Sequence, residues 1–203
     1  MLKQVVFIGG IHGAGKTSCC KKLSQEFAHD VAKQRHAVIA LGKTMGLDSW
    51  EEIGCKHDKL ILPAAELVTN NFLKSRSDVL LVDCHYAISA KKALRLNGKE
   101  VDSPFIPDLD YTFVAKMAEN FRIRFIILRV EPIIGYKRIR RRPLEVLNYF
   151  NTLEGLEEIE PFETRHYHLM INHFEISGSD LLVVDSNKKF DSVTALVGNF
   201  VLK

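Results

Sequence analysis

The sequence predicts an α/β protein: a three-layer fold in which a five-stranded parallel sheet is flanked by helices. Three observations carry that prediction. Short apolar runs suited to buried strands lie near Val5, Val38, Val79, Arg124 and Leu181, and stretches of helical period separate them. Strands that alternate with helices build a parallel sheet with helices on both faces. No internal repeat, low-complexity tract or linker divides the 203 residues, a length that suits one domain with a substantial core.

Each element has its own signal. Val5 to Ile8 is an unbroken β-branched and aromatic run, as a strand buried on both faces requires. From Ser18 the period becomes helical, with Cys19, Leu23 and Phe27 apolar and Lys21, Lys22, Gln25 and Glu26 between them. Ala37 to Leu41 reads as the second strand, broken by Gly42-Lys43-Thr44-Met45-Gly46. A helix is expected from Asp48 or Ser49 as its cap. Pro63 is placed in the first turn of the next helix, with Ala64, Leu67, Val68 and Phe72 on its apolar side. Val79 to Asp83 is a buried strand that ends in an acid. Cys84 to Asp110, with Asn97-Gly98, Pro104 and Pro107, shows no period, and so long an irregular stretch reads as functional. Asp110 to Asn120 is helical and Ile123 to Val130 is a strand. Ile133 to Arg142 forms a basic helix that Pro143 ends or bends. Leu156, Ile159, Phe162, His166, Leu169 and His173 mark a long helix over Leu153 to Phe174. Leu181 to Asp185 is the last strand, and Phe190 to Lys203 the last helix.

Composition narrows the class. A hydrophobic share of 46% and a charged share of 26% are ordinary for a soluble globular protein. A net charge of +3 does not by itself argue for nucleic acid. Met1-Leu2-Lys3 runs straight into the first strand, which leaves no room for a signal peptide, and no run approaches membrane-spanning length. Cys19, Cys20, Cys55 and Cys84 have no metal-knuckle spacing and are expected to be buried, reduced thiols in a cytoplasmic protein.

Between the first strand and the first helix stands Gly10-Ile11-His12-Gly13-Ala14-Gly15-Lys16-Thr17, a full match to the Walker A pattern. Backbone N–H groups of such a loop converge on a polyphosphate, and its glycines permit the angles and the close approach this needs. The helix that opens at the loop's end, beginning near Ser18, adds a positive dipole end. Lys16 is placed to reach the β- and γ-phosphates, and the Thr17 hydroxyl to ligate Mg²⁺. Asp83, at the end of a buried strand downstream, has the form of a Walker B acid holding the same ion, through water. His12 is expected to point outward or to cap the phosphates, and His85 either lies near them or makes a core hydrogen bond.

A Walker A loop establishes phosphate binding, not the reaction. A GTPase needs Asn-Lys-x-Asp, whereas the nearest run, Asn187-Lys188-Lys189-Phe190, lacks the acid. A nucleic-acid-coupled ATPase could use the Arg138 to Arg142 cluster as a phosphate patch, but the modest charge argues against nucleic acid. A small-molecule phosphotransferase accounts for more features at once: it needs a cationic lid and a helical pocket for the acceptor.

The chain resembles the archaeal-type adenylate kinases within the wider group of P-loop nucleotide kinases. The resemblance rests on the Walker A loop, Gly42-Lys43-Thr44-Met45, Val82-Asp83-Cys84-His85, the stretch Pro104 to Leu109, and Glu131-Pro132 ahead of an arginine helix with Arg138. It implies a P-loop kinase-like three-layer fold over residues 1–203, with acceptor-binding helices at about 43–75 and a lid at about 131–150. It implies transfer of the ATP γ-phosphate to AMP or a related nucleoside monophosphate, with ATP and Mg²⁺ as cofactors, nucleotides as substrates and a homo-oligomer, such as a trimer, as a possible state. Lys16, Arg138 and Arg142 are then the catalytic cations, residues Gly10 through Ser18 hold the nucleotide, and Thr17 and Asp83 hold the metal. Two departures stand out. Lys56-His57-Asp58-Lys59-Leu60-Ile61 lacks the second arginine of the family's AMP-binding segment, and Arg140-Arg141-Arg142-Pro143 is a shortened lid. The alternatives are a kinase of a non-nucleotide small molecule and a nucleic-acid-coupled ATPase.

Overall fold

The computed structural model describes residues 3–89, 105–141 and 152–203. Its central sheet is parallel throughout. Strand β1 (Gln4–Gly9) lies between β3 (Val79–Asp83) and β6 (Arg122–Arg129), with β2 (Asp30–Ala32) at one edge and β7 (Leu181–Asp185) at the other. The five-stranded three-layer fold expected from the sequence is therefore present. Phe7 stacks on Phe125 of the neighbouring strand at 5.3 Å.

Alternation along β1 divides the core. Val5 and Phe7 face helices α2 (Gln34–Thr44), α4 (His57–Lys74) and α5 (Tyr111–Ala118), where Val38, Leu60, Ala64, Phe113 and Met117 pack. Val6 and Ile8 face α1 (Lys16–Phe27) and α8 (Phe190–Val201) with Cys19, Leu23, Val193 and Val197. Helix α7 (Leu153–His173) serves both cores: Leu156 and Ile159 join the second, Tyr167 and Met170 the first.

Several sequence expectations are corrected. Ala37 to Leu41 is not a strand but the middle of α2, and the edge strand is Asp30–Ala32 upstream. Gln34, Val38 and Gly42 are the buried positions, so the helical period overrides a short apolar run that fits either structure. Pro63 is not in a first turn. Helix α4 starts at His57, and Pro63 sits inside it on an exposed face, where water can take the carbonyl left without a partner. The region after Cys84 is not wholly irregular: β4 (Ala87–Ser89) and β5 (Phe105–Pro107) pair antiparallel. Asn97, Gly98, Pro104, Arg142 and Pro143 lie outside the described residues.

Most other boundaries agree with the sequence reading, but the basic helix expected over Ile133 to Arg142 ends at Ile139. Ser49 caps α3 (Trp50–Cys55) in a capping box with Glu52. The basic helix is α6 (Pro132–Ile139), with its proline in the first turn. Of the four cysteines, Cys19, Cys20 and Cys84 are buried, whereas Cys55 is exposed, contrary to expectation.

Candidate phosphate-binding site

Register brings the two acid-and-phosphate motifs together. Ile8 pairs with Asp83, so β3 ends beside the loop that leaves β1. At that end the Thr17 hydroxyl donates to Asp83 Oδ2 at 2.6 Å. These two groups come from motifs 66 residues apart in sequence. A hydroxyl and a carboxylate oxygen this close are a hard-oxygen pair of the kind Mg²⁺ takes, so the residues fit that ion.

The loop has the backbone its glycines allow. Gly10, Gly13 and Gly15 have φ of +139°, +82° and +96°. At Gly10 a Cβ would also run into the carbonyl of Leu128, and at Gly13 into the backbone of Gly135. Lys16 is buried, with its ammonium on the carbonyls of Gly10 (2.5 Å) and Ile11 (3.0 Å).

The outer side of the loop is braced from α6 and the β7–α8 turn. Arg138 donates to the carbonyls of Gly13 (3.3 Å) and Ser186 (2.6 Å), and the Ser186 hydroxyl donates to the carbonyl of Ala14 (2.6 Å). A recess of about 280 Å³ opens there between Gly15, Ser18, Arg138, Lys188 and Phe190. The cation expected to act in a lid is thus already seated against the phosphate loop, while the exposed Arg140 and Arg141 follow at the helix end.

On the other side of Thr17 and Asp83 lies a cleft of about 220 Å³. The start of α2 supplies Lys33, Gln34 and Arg35 to it, and His12, His85 and Asp108 complete the wall. Lys33 reaches Asp83 Oδ2 at 2.7 Å, and Gln34 ties α2 to the loop before α5 through the Asp108 carbonyl and the Asp110 N–H. His12 and His85 lie ring to ring at 4.4 Å. Burial, then the charge of Lys16, pushes His85 well below the ordinary histidine range, which keeps it neutral near pH 7. The Lys56 to Ile61 run does not line this cleft; His57, Leu60 and Ile61 are buried in the core instead.

Reading the sequence missed Lys33, Gln34 and Arg35, because the strand before them was misplaced. It also missed Glu163, whose carboxylate accepts backbone N–H bonds from Gly10, Tyr86 and Ala87. Its signal was present: an acid lying in the stripe of Leu156, Ile159, Tyr167 and Met170.

No known family model and no curated protein matches the chain. Solved structures do. A deoxyadenosine kinase from M. mycoides with bound dATP shares 16% identity over 98% of this chain and 100% of its own, with a TM-score of 0.54. A gluconokinase from Sinorhizobium meliloti shares 12% over 99% of this chain and 93% of its own, with a TM-score of 0.53. The YorR protein from Bacillus subtilis, in complex with phosphorylated GDP, shares 14% over 98% of this chain and 95% of its own, with a TM-score of 0.56. These similarities establish a P-loop kinase fold without singling out the archaeal adenylate kinases.

Proposed function

We propose that this protein is an ATP-dependent phosphotransferase that moves the γ-phosphoryl group of ATP to AMP or a related nucleoside monophosphate. One observation carries the reading: a complete Walker A loop whose Thr17 meets Asp83 at the mouth of a second cleft, lined by Lys33, Arg35 and Asp108. A donor side and an acceptor side on opposite flanks of one phosphate loop are what transfer between two small molecules requires.

In this reading Lys16 leaves the Gly10 and Ile11 carbonyls for the donor's phosphates. Thr17 and Asp83 hold Mg²⁺, which supplies neutralisation of phosphate charge. Arg138 keeps the Gly13 segment of the loop in place from behind and lines the recess that would take the donor's nucleoside. Arg142 is assigned to the lid on the sequence pattern alone. Lys33 and Arg35 are the cations of the acceptor cleft that would meet an acid group, beside Asp83 and Asp108.

A second reading, a kinase of a non-nucleotide small acid, draws support from the placement of Lys56 to Ile61 away from the cleft. It also draws support from a gluconokinase among the proteins of this fold. The test is a transfer panel: ATP and Mg²⁺ with nucleoside monophosphates, nucleosides, sugar acids and neutral sugars, read by mass spectrometry. A phosphorylated nucleoside monophosphate supports the first reading, and a phosphorylated sugar acid the second. ATP hydrolysis stimulated by RNA or DNA, with no phosphorylated product, overturns both.

A further inference from the structure

We propose that Glu163 is a positioning residue of the donor site, a buried carboxylate that orients the phosphate loop by accepting the N–H of its first glycine. The inference rests on the donor reading above.

The geometry is specific. Glu163 Oε1 accepts from Gly10 N–H and Tyr86 N–H, each at 3.0 Å, and Oε2 accepts from Ala87 N–H at 2.6 Å. Gly10 is therefore held at both ends: its N–H goes to Glu163 and its carbonyl takes the Lys16 ammonium. Tyr86 and Ala87 follow closely on the strand that ends in Asp83. One carboxylate thus fixes the start of the Walker A loop relative to the chain leaving Asp83. The Thr17–Asp83 pair depends on that spacing.

An ionised carboxylate meets this set of donors best, because both oxygens then act purely as acceptors. Three N–H groups need acceptors, and a carboxylate offers two oxygens with several lone pairs. A neutral acid or an amide puts a hydrogen where one of those donors already points. A packing role alone would not need an acid, since the helix stripe around it is otherwise apolar. Leaving a charge buried costs free energy, and the site opposes that cost with hydrogen bonds and a nearby cation.

The groups that face Glu163 are Lys16 from α1, Cys84 and Tyr86 beyond β3, Arg129 from β6, and Glu160 and Tyr167 on its own helix. Burial raises its pKa above the ordinary value of 4.5, against the pull of Lys16 and the three N–H bonds. Acidification then protonates this acid early and turns one acceptor into a donor facing an N–H.

The experiment is ATP binding by calorimetry, without acceptor, for wild type and Glu163→Gln, from neutral to acid pH. The Gln variant is expected to bind ATP about tenfold more weakly at neutral pH, the loss typical of a charge-assisted bond. The two affinities should converge on acidification, because the amide imitates the protonated acid. Titration of ATP and of His85 is common to both proteins and drops out of the ratio. If the Gln variant does not fold, Glu163→Asp takes its place and should bind ATP more weakly yet keep the wild-type pH slope. A lowered melting temperature with ATP affinity within about twofold of wild type, or a ratio constant with pH, overturns the proposal. Wild-type protein that binds no ATP overturns the donor reading itself, and this inference with it.

Discussion

The two flanks of the phosphate loop are assembled from different materials. On the flank proposed for the donor the contacts run to backbone: Lys16 to the Gly10 and Ile11 carbonyls, Arg138 to those of Gly13 and Ser186, Ser186 to that of Ala14. On the flank proposed for the acceptor the wall is made of side chains from separate elements: Lys33 and Arg35 at the start of α2, His85 after β3, Asp108 after β5. Backbone acceptors survive substitution at their own positions, whereas side-chain walls change with each one. A fold built this way can keep its phosphate loop while the opposite wall varies.

The comparison breaks first at Lys16. Lys16→Ala removes the buried ammonium and should lower turnover about a hundredfold or more, as loss of a preorganised electrostatic donor does. Its circular-dichroism melt should remain cooperative. Turnover close to wild type would remove the donor assignment and with it the contrast between the flanks.

Arg138→Ala comes next. Arg138 bonds to Gly13 and Ser186, so the donor's apparent affinity should fall together with turnover, by about tenfold or about 1.4 kcal/mol. Steady-state kinetics with ATP varied checks this. A change confined to the acceptor's KM would place Arg138 on the wrong flank.

Lys33→Met should act more mildly. Lys33 sits on the Asp83 oxygen that Mg²⁺ would use, so its ammonium competes with the ion. Mn²⁺ binding to the nucleotide-free variant, followed by electron paramagnetic resonance, should tighten by roughly threefold, while metal-free ATP binding stays within about twofold. Weaker Mn²⁺ binding would show that Lys33 orients Asp83 instead of screening it.

The smallest effect concerns pH. Burial holds both His85 and His29 below the ordinary histidine value of 6.5. A lowered histidine pKa means that the unfolded chain takes up protons first, so this contribution is present above pH 6.5 and declines as pH falls below it. His85→Asn should flatten the fall of melting temperature on that acid side. An unchanged slope would leave the histidine pair without a part in the stability of the acceptor wall.

The donor flank was legible because its chemistry is local. Gly10 to Thr17 lie in one stretch, and their spacing is dictated by a phosphate chain and a helix end. Asp83 was legible as an acid at the end of an apolar strand. The acceptor flank was not, and Lys33 shows why. Ala37 to Leu41 is apolar and short, so strand and helix fit it equally until Val38 and Gly42 are seen packing against α4 and Ile53. With the strand placed there, Lys33 and Arg35 fell into an unassigned segment.

Taken by itself, the amino-acid sequence determined the order of most elements, the parallel three-layer architecture, the phosphate loop and the acid at the end of its third strand. Each of those is written in period or spacing over a few neighbouring residues. Tertiary structure alone decided that Asp83 meets Thr17, that Arg138 reaches behind the loop, that α2 opens onto the acceptor cleft, and that Glu163 touches Gly10 across 153 positions of sequence. Those contacts follow from strand register and helix packing, which depend on how all the apolar surfaces are buried at once.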